Sequence, residues 1–287
     1  MTRISNTLLW LLVSVLAARL GLSALLPFAD TTEPRYAEMA RIMAETGDWI
    51  TPWFDIGVPF WGKPPLSFWT QALSFKLFGV SEFAGRLPSW LANVGIVWLV
   101  YNLRRYLHPD PLGHGAKTQG LWAALIYATT ALGFLSAGTV MTDSFLALGT
   151  SLTLVSLIIR LQGGPPLWGW LFFIGLATGL LAKGPLVLVL AGLPVFLWAL
   201  TFNRWQTLWH SLPWVRGLAL TLLMSAPWYV LAELKTPGFL DYFIVGEHIK
   251  RFVVSGWQGD LYGSAHDFPR GTIWLYLVLA SMPWGLV

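Results

Sequence analysis

The segment "DTTEPRYAEMAR", residues 30–41, follows directly on an apolar run and concentrates charge in a chain whose charged fraction is only 11%. Asp30 and Glu33 are three positions apart, so at the entrance of a helix both carboxylates face one space. There either serves as a catalytic base in a membrane enzyme, with Arg35 holding it. The same spacing is that of a capping box, with Asp30 at the N-cap and Glu33 at N3. A cap uses only one carboxylate oxygen, so the two readings coexist.

In "DIGVPFWGKPPLSFW", residues 55–69, Lys63 stands between Trp61-Gly62 and a proline pair. A lysine on a rigid, proline-flanked loop suits an anion such as a phosphate, as a point charge with three donors. The plainer reading is an interfacial lysine snorkelling beside aromatic anchors. Lys183 in "LAKGP" divides in the same way between a phosphate ligand and a structural ion pair, and Asp143 in "VMTDSFLAL" between a helix cap and a site residue. In "FLDYFIVGEHIKRF", His248 and Arg251 are i,i+3 neighbours that can grip one anionic headgroup; the alternative is a basic face against lipid headgroups. A metal held by Glu247 and His248 is disfavoured, because adjacent residues on a helix point apart.

These residues need elements to hold them, and the composition says what kind. Of 287 residues 55% are hydrophobic, 18 are Trp, and the mean hydropathy is +0.61. Such a chain is a multi-span membrane protein, all-α in class. It has no cysteine, which removes disulfides, thiolate metal sites and thiol nucleophiles. Its formal charge of +4 is dispersed beside apolar spans, which argues for orientation in a membrane and against a nucleic-acid partner.

With ~20 apolar residues per crossing, about eight spans are predicted: 7–28, 84–103, 119–138, 144–160, 167–182, 184–202, 212–232 and 271–287. The first has no A-x-A-like cleavage site after a short core, so a retained span is expected rather than a signal peptide. A cytoplasmic N-terminus places Arg3, Arg104, Arg105, Lys117, Arg160 and Arg204 inside, as the positive-inside rule requires. Two long polar segments, about 29–83 and 233–270, then lie outside and hold the chemistry. Within the first, residues 33–46 place Tyr36, Met39, Ala40 and Met43 on one helical face, which predicts an amphipathic interfacial helix. A second interfacial helix is expected in "PPLSFWTQALSFKLFG", starting after its prolines and stopping at Gly79.

"TEPRYAEMAR", "DWITPWF", "PFWGKPPLSFW", "FGVSEFAGRLPSWL", "MTDSFLAL", "LAKGP" and "GEHIKRF" occur in one order. Together they resemble the bacterial membrane glycosyltransferases related to protein O-mannosyltransferases and to the 4-amino-4-deoxy-L-arabinose lipid A transferase. The resemblance covers nearly the whole chain. It implies a C-type glycosyltransferase (GT-C) fold with juxtamembrane helices in the first outer loop, in one polytopic domain over residues 1–287. It implies a polyprenyl-phosphate-linked sugar as donor, transferred with inversion to a glycolipid such as lipid A, a polysaccharide or a protein outside the inner membrane. Glu33, Arg35 and Tyr36 match the family's Asp-Glu-x-Arg-Tyr motif, Lys63 its lysine before the proline pair, Lys183 its later-loop lysine, and His248 with Arg251 its outer basic motif.

Two positions depart from the family pattern. Thr32 stands where the family's leading Asp is found, so Asp30 and Glu33 compete as base. Gly62 stands where the arabinosyl enzymes carry an acidic residue before the lysine, which leaves a divalent metal an open question. Family members are considerably longer, so a truncated form is expected. Lys63, Lys183 and Arg251 are expected to stabilise the leaving phosphate, since fixed cations act most strongly where charge develops. The rival class is a transporter or flippase for lipid-linked sugars, or an assembly partner; charge at mid-membrane and inverted repeats would favour transport, but only Arg19 and Arg216 sit well inside candidate spans and no repeat is visible, so the enzyme is preferred.

Overall fold

A computed structural model describes residues 2–29, 31–107, 114–254, 259, 261–262 and 269–286, so Asp30 lies outside the described residues. The order is α1 Thr2–Leu25, α2 Thr32–Thr46, a two-stranded antiparallel hairpin β1 Trp53–Asp55 and β2 Val58–Pro59, α3 Leu66–Phe78, α4 Glu82–Leu107 and α5 His114–Thr129. There follow α6 Ala131–Ser136, α7 Asp143–Leu161, α8 Leu167–Lys183, α9 Leu186–Thr201, α10 Trp205–Ser211 and α11 Trp214–Lys235. A π-helical segment Asp241–Lys250 leads into α12 Arg251–Val253, and α13 Thr272–Ser281 follows.

Among the described residues, Arg3–Leu25, Glu82–Leu107, Asp143–Leu161 and Trp214–Lys235 are long and apolar enough to cross a membrane, and Leu167–Lys183, Leu186–Thr201 and Thr272–Ser281 are shorter apolar helices. The expected span 119–138 is not continuous. Thr130 takes extended backbone angles between α5 and α6, and its hydroxyl accepts the Gly133 N–H at 3.1 Å, which starts a new helix.

Arg19, in the middle of α1, is buried, and its guanidinium donates to the carbonyls of Phe134 at 2.7 Å and Leu135 at 3.1 Å. Those carbonyls are near the end of α6, where a helix leaves acceptors unpaired. The charge inside the span is therefore consumed in joining α1 to α6. Arg216, expected well inside a span, is exposed in the first turn of α11.

α7 and α8 form the closest pair in the bundle, because glycines line the seam. A Cβ at Gly149 of α7 would lie 2.6 Å from the Gly179 nitrogen, and one at Gly175 of α8 would lie 2.5 Å from Thr153 Oγ1. Gly175 and Gly179 form a G-x-x-x-G pattern, which lets two backbones touch where no hydrophobic driving force brings helices together. This rigid pair presents Asp143, first residue of α7, and Lys183, last residue of α8, at one end.

The segment between α1 and α4 is a folded unit. It holds the two helices expected there, α2 and α3, and Tyr36, Met39, Ala40 and Met43 are buried as their spacing predicts. Asp48, just beyond α2, organises the turn that follows. One oxygen accepts the N–H groups of Ile50 and Thr51, and the other accepts Trp53 Nε1 at 2.7 Å and Lys235 Nζ at 2.5 Å. Burial opposes ionisation of this carboxyl, yet the contacts from Lys235, Thr51, Trp53 and Ile50 together outweigh it and hold it below the usual carboxylate range. A lowered folded-state value means the stabilisation is present above the unfolded value of about 3.9 and is lost as pH falls through the folded one. Asp48→Asn is expected to lower stability by about 1–3 kcal/mol at neutral pH. In detergent melts the gap between variant and wild type should close on acidification below that unfolded value.

Candidate active site

Thr32, Arg35, Tyr36, Phe60, Gly62, Lys63, Met141, Thr142, Asp143, Lys183, Glu247, Arg251 and Tyr262 enclose a cavity of about 420 Å³. The sequence-predicted residues Arg35, Tyr36, Lys63, Asp143, Lys183 and Arg251 thus meet, although they lie in five separated segments.

Each cation is held differently. Arg35 Nη1 donates to the Tyr262 carbonyl at 3.2 Å, and Arg251 Nη1 reaches Glu247 Oε2 at 2.9 Å. Lys183 Nζ lies 2.5 Å from Asp143 Oδ1. It is aimed by Gly184, whose φ of 74° and close contact with the Phe243 ring leave no room for a side chain. Lys63 Nζ donates to the adjacent Gly62 carbonyl at 2.6 Å and makes no ion pair among the described residues. Burial is the main reason its ammonium deprotonates below the usual lysine range; Glu247 and Asp143 oppose that shift, while Lys183 and Arg251 add to it. An anion placed here relieves the penalty.

Aromatic rings build the wall. Phe60 packs 4.6 Å from Tyr262 and 6.0 Å from Tyr36, while Tyr262 donates to the Pro59 carbonyl and accepts the Trp61 N–H. Burial, with Asp143 adding to it, pushes the Tyr36 phenol up to about 12, so it is a proton donor at neutral pH and no base. A Cβ at Gly62 would lie 2.8 Å from the Phe60 ring and 3.3 Å from Tyr262. The rings occupy the space an acidic side chain would need at this position. Among the described residues no cluster of three or more His, Asp or Glu is placed to hold a metal, so no step is assigned to one.

Two predicted residues stand outside the cavity. Glu33 is 3% exposed, and both oxygens are engaged: Oε1 accepts Arg86 Nε at 3.1 Å and the Val140 N–H at 2.9 Å, and Oε2 accepts Arg86 Nη2 and the Ala29 N–H, each at 2.8 Å. Burial opposes its ionisation, but these contacts prevail and hold the carboxyl below its usual range. The helix N-cap is Thr31, without a side-chain cap bond. Glu33 is therefore neither cap partner nor exposed base. The arginine beside it is Arg86, where Arg35 was expected. His248 backs the site, its ring nitrogens 2.7 Å from the Phe243 carbonyl and 3.2 Å from the Lys183 carbonyl, so it positions the chain that carries Lys183.

Sequence reasoning missed Glu247 and Tyr262 as lining residues. Glu247 is brought in by the π-helical register: its Oε1 accepts Tyr242 Oη five residues back at 3.0 Å, a spacing that aligns only where the backbone bonds i to i+5. Such segments gather at functional sites, but periodicity at 3.6 residues carries no sign of one.

Residues 4–243 match the sequence model of the dolichyl-phosphate-mannose-protein mannosyltransferase family. The chain belongs to that family. Among curated relatives, the undecaprenyl phosphate-alpha-4-amino-4-deoxy-L-arabinose arabinosyl transferase of Pseudomonas aeruginosa (strain UCBPP-PA14) is 32% identical over 286 residues, covering 94% of this chain and 48% of that protein. The transferase of the same name from Aeromonas salmonicida (strain A449) is 29% identical, covering 90% of this chain and 45% of its own. The chain spans about half the length of the curated relatives it matches. The crystal structure of ArnT from Cupriavidus metallidurans bound to undecaprenyl phosphate superposes with a TM-score of 0.79 at 22% identity, over 96% of this chain and 49% of that one. The mannosyltransferase-family chain therefore has the integral-membrane GT-C fold that the ordered motifs implied.

Proposed function

We propose that the chain acts as a glycosyltransferase that moves a sugar from a polyprenyl-phosphate carrier to an acceptor on the outer side of the inner membrane, its N-terminus in the cytoplasm. The single observation that carries this reading is the cavity, where four cationic side chains meet two carboxylates beneath an aromatic wall. That excess of positive charge suits a phosphodiester that becomes a dianionic monoester when its sugar leaves. Relatives named for an undecaprenyl-phosphate-linked donor support it, and lipid A, another glycolipid, a polysaccharide or a protein remain the acceptor classes.

In this reading the anomeric carbon sits between the cations and an acceptor nucleophile. Lys63, Lys183 and Arg251 hold the departing phosphate oxygens and stabilise the transition state more than the bound donor. Arg35 and Tyr36 orient the sugar as donors. The transport reading gains nothing from Arg19, whose guanidinium is tied to α6 carbonyls.

Proteoliposomes containing the chain should be given undecaprenyl-phosphate-linked 4-amino-4-deoxy-L-arabinose, mannose or glucose, with lipid A as acceptor. The expected result is release of undecaprenyl phosphate coupled to a mass shift of the acceptor by one sugar. Movement of the lipid-linked sugar across the bilayer without transfer would overturn the proposal.

A further inference from the structure

We propose, resting on the transferase reading above, that Asp143 is the base that takes the proton from the acceptor hydroxyl. Among the described residues only Asp143 and Glu247 bring carboxylates to the cavity. Glu247 has a side chain 8% exposed and both oxygens committed, one to Tyr242 Oη and one to Arg251. Asp143 has a side chain 60% exposed, one oxygen on Lys183, and a second oxygen with no hydrogen-bond partner among the described residues. Beside it, the Thr142 hydroxyl is buried, lines the same cavity and has no hydrogen-bond partner among the described residues. A carboxylate oxygen and a hydroxyl, both unengaged and adjacent in the chain, form a place for an incoming O–H group.

The other cavity groups leave the task to Asp143. Thr32 offers only an alcohol, Tyr36 is a protonated phenol, and Lys63, Lys183, Arg35 and Arg251 are cations. These groups, with Glu247 and the Tyr262 phenol, are the charged and titratable side chains that face Asp143 across the cavity. It is the first residue of α7, where a helix favours negative charge, and one of its oxygens is paired with Lys183. That pairing also couples the base to the donor: a donor phosphate that draws the Lys183 ammonium away releases the Asp143 oxygen it holds.

In the step, the acceptor oxygen forms a bond to the anomeric carbon as the bond from that carbon to the phosphate oxygen breaks. The electron pair leaves with the polyprenyl phosphate, now a dianion held by Lys63, Lys183 and Arg251. The acceptor's proton moves to the second oxygen of Asp143 and later to water.

The test compares wild type, Asp143→Asn, Asp143→Glu and Asp30→Asn in proteoliposomes. It follows transfer against pH, undecaprenyl phosphate binding and thermal unfolding. Asp143→Asn is expected to lose about 10²–10⁴-fold in kcat with undecaprenyl phosphate binding retained, and to lose the acidic limb of the rate profile. Asp143→Glu should keep that limb at a shifted position, which a merely structural aspartate would not do. Near-wild-type transfer by Asp143→Asn, loss of rate only in step with lost binding, or an acidic limb that disappears in Asp30→Asn would each overturn the assignment. If Asp143→Asn does not fold, an unmoved limb in Asp143→Glu overturns it equally. A wild-type chain that binds undecaprenyl phosphate yet transfers no sugar fails the transferase reading instead, and is recognised before any variant is compared.

Discussion

Glu33→Gln is expected to lower the stability of the chain by about 3–5 kcal/mol and to leave turnover per folded molecule close to that of the wild type. The carboxylate is buried against Arg86 and receives two backbone N–H groups besides. An amide accepts through one oxygen only, so its NH2 group would face a donor, and the guanidinium would lose its counter-charge. Arg86 in turn donates to the carbonyls of Ser23, Leu26 and Pro27, so the pair joins the end of α1, the start of α2, α4 and the loop at Val140. Arg86→Met should therefore lose a similar amount, and the double variant less than the two together, because neither partner is left charged and alone. Unfolding in mixed detergent micelles reads the loss, and transfer normalised to folded protein reads the chemistry. A folded Glu33→Gln protein without activity would return Glu33 to the role of base.

Lys63→Ala is expected to reduce kcat by about 10²–10³-fold, the usual effect of removing one donor from developing negative charge, with kcat/KM falling alongside. Lys63→Arg should recover part of it, since the charge remains but the forked geometry differs. The buried ammonium titrates below its usual range, mainly through burial, so the affinity for undecaprenyl phosphate should weaken as pH rises through that lowered value. A bound phosphate favours the ammonium, so binding on the alkaline side takes up a proton. Calorimetry in buffers of different ionisation enthalpy detects that uptake, and it should vanish in Lys63→Ala. Retention of both activity and proton uptake by Lys63→Ala would remove Lys63 from the site.

Much of the outer loop was readable from residue order alone. The face of α2 and the start of α3 after its prolines follow from local spacing, and Lys63 and Lys183, picked out by their side-chain chemistry, line one cavity. What was not readable depends on distant partners. Glu33 looked like a helix-entrance acid because its partner is Arg86, 53 positions away, at the edge of an apolar run. Arg86 at the edge of a span demands a partner, but Glu82, four positions before it, offers a local one, so the pattern does not point to Glu33. The break at Thr130 was hidden because threonine and glycine are tolerated in a span, and only the hydroxyl bond to Gly133 decides that a helix restarts there. Tyr262 lies 201 positions from the Trp61 N–H it accepts, a pairing no local pattern encodes.

The π-helical segment ties the site to chain length as well as to residue identity. Tyr242 and Glu247 meet because the wider winding of an i→i+5 bonded helix brings the sixth residue back near the first. In an α-helix the same pair would point about 140° apart. Removing one residue between them would let the segment rewind into ordinary helix with the pair still together, now four positions apart. Among relatives, a one-residue gap at this point therefore marks a π-helical turn exchanged for an α-helical one, visible by counting residues even where every charged side chain is retained.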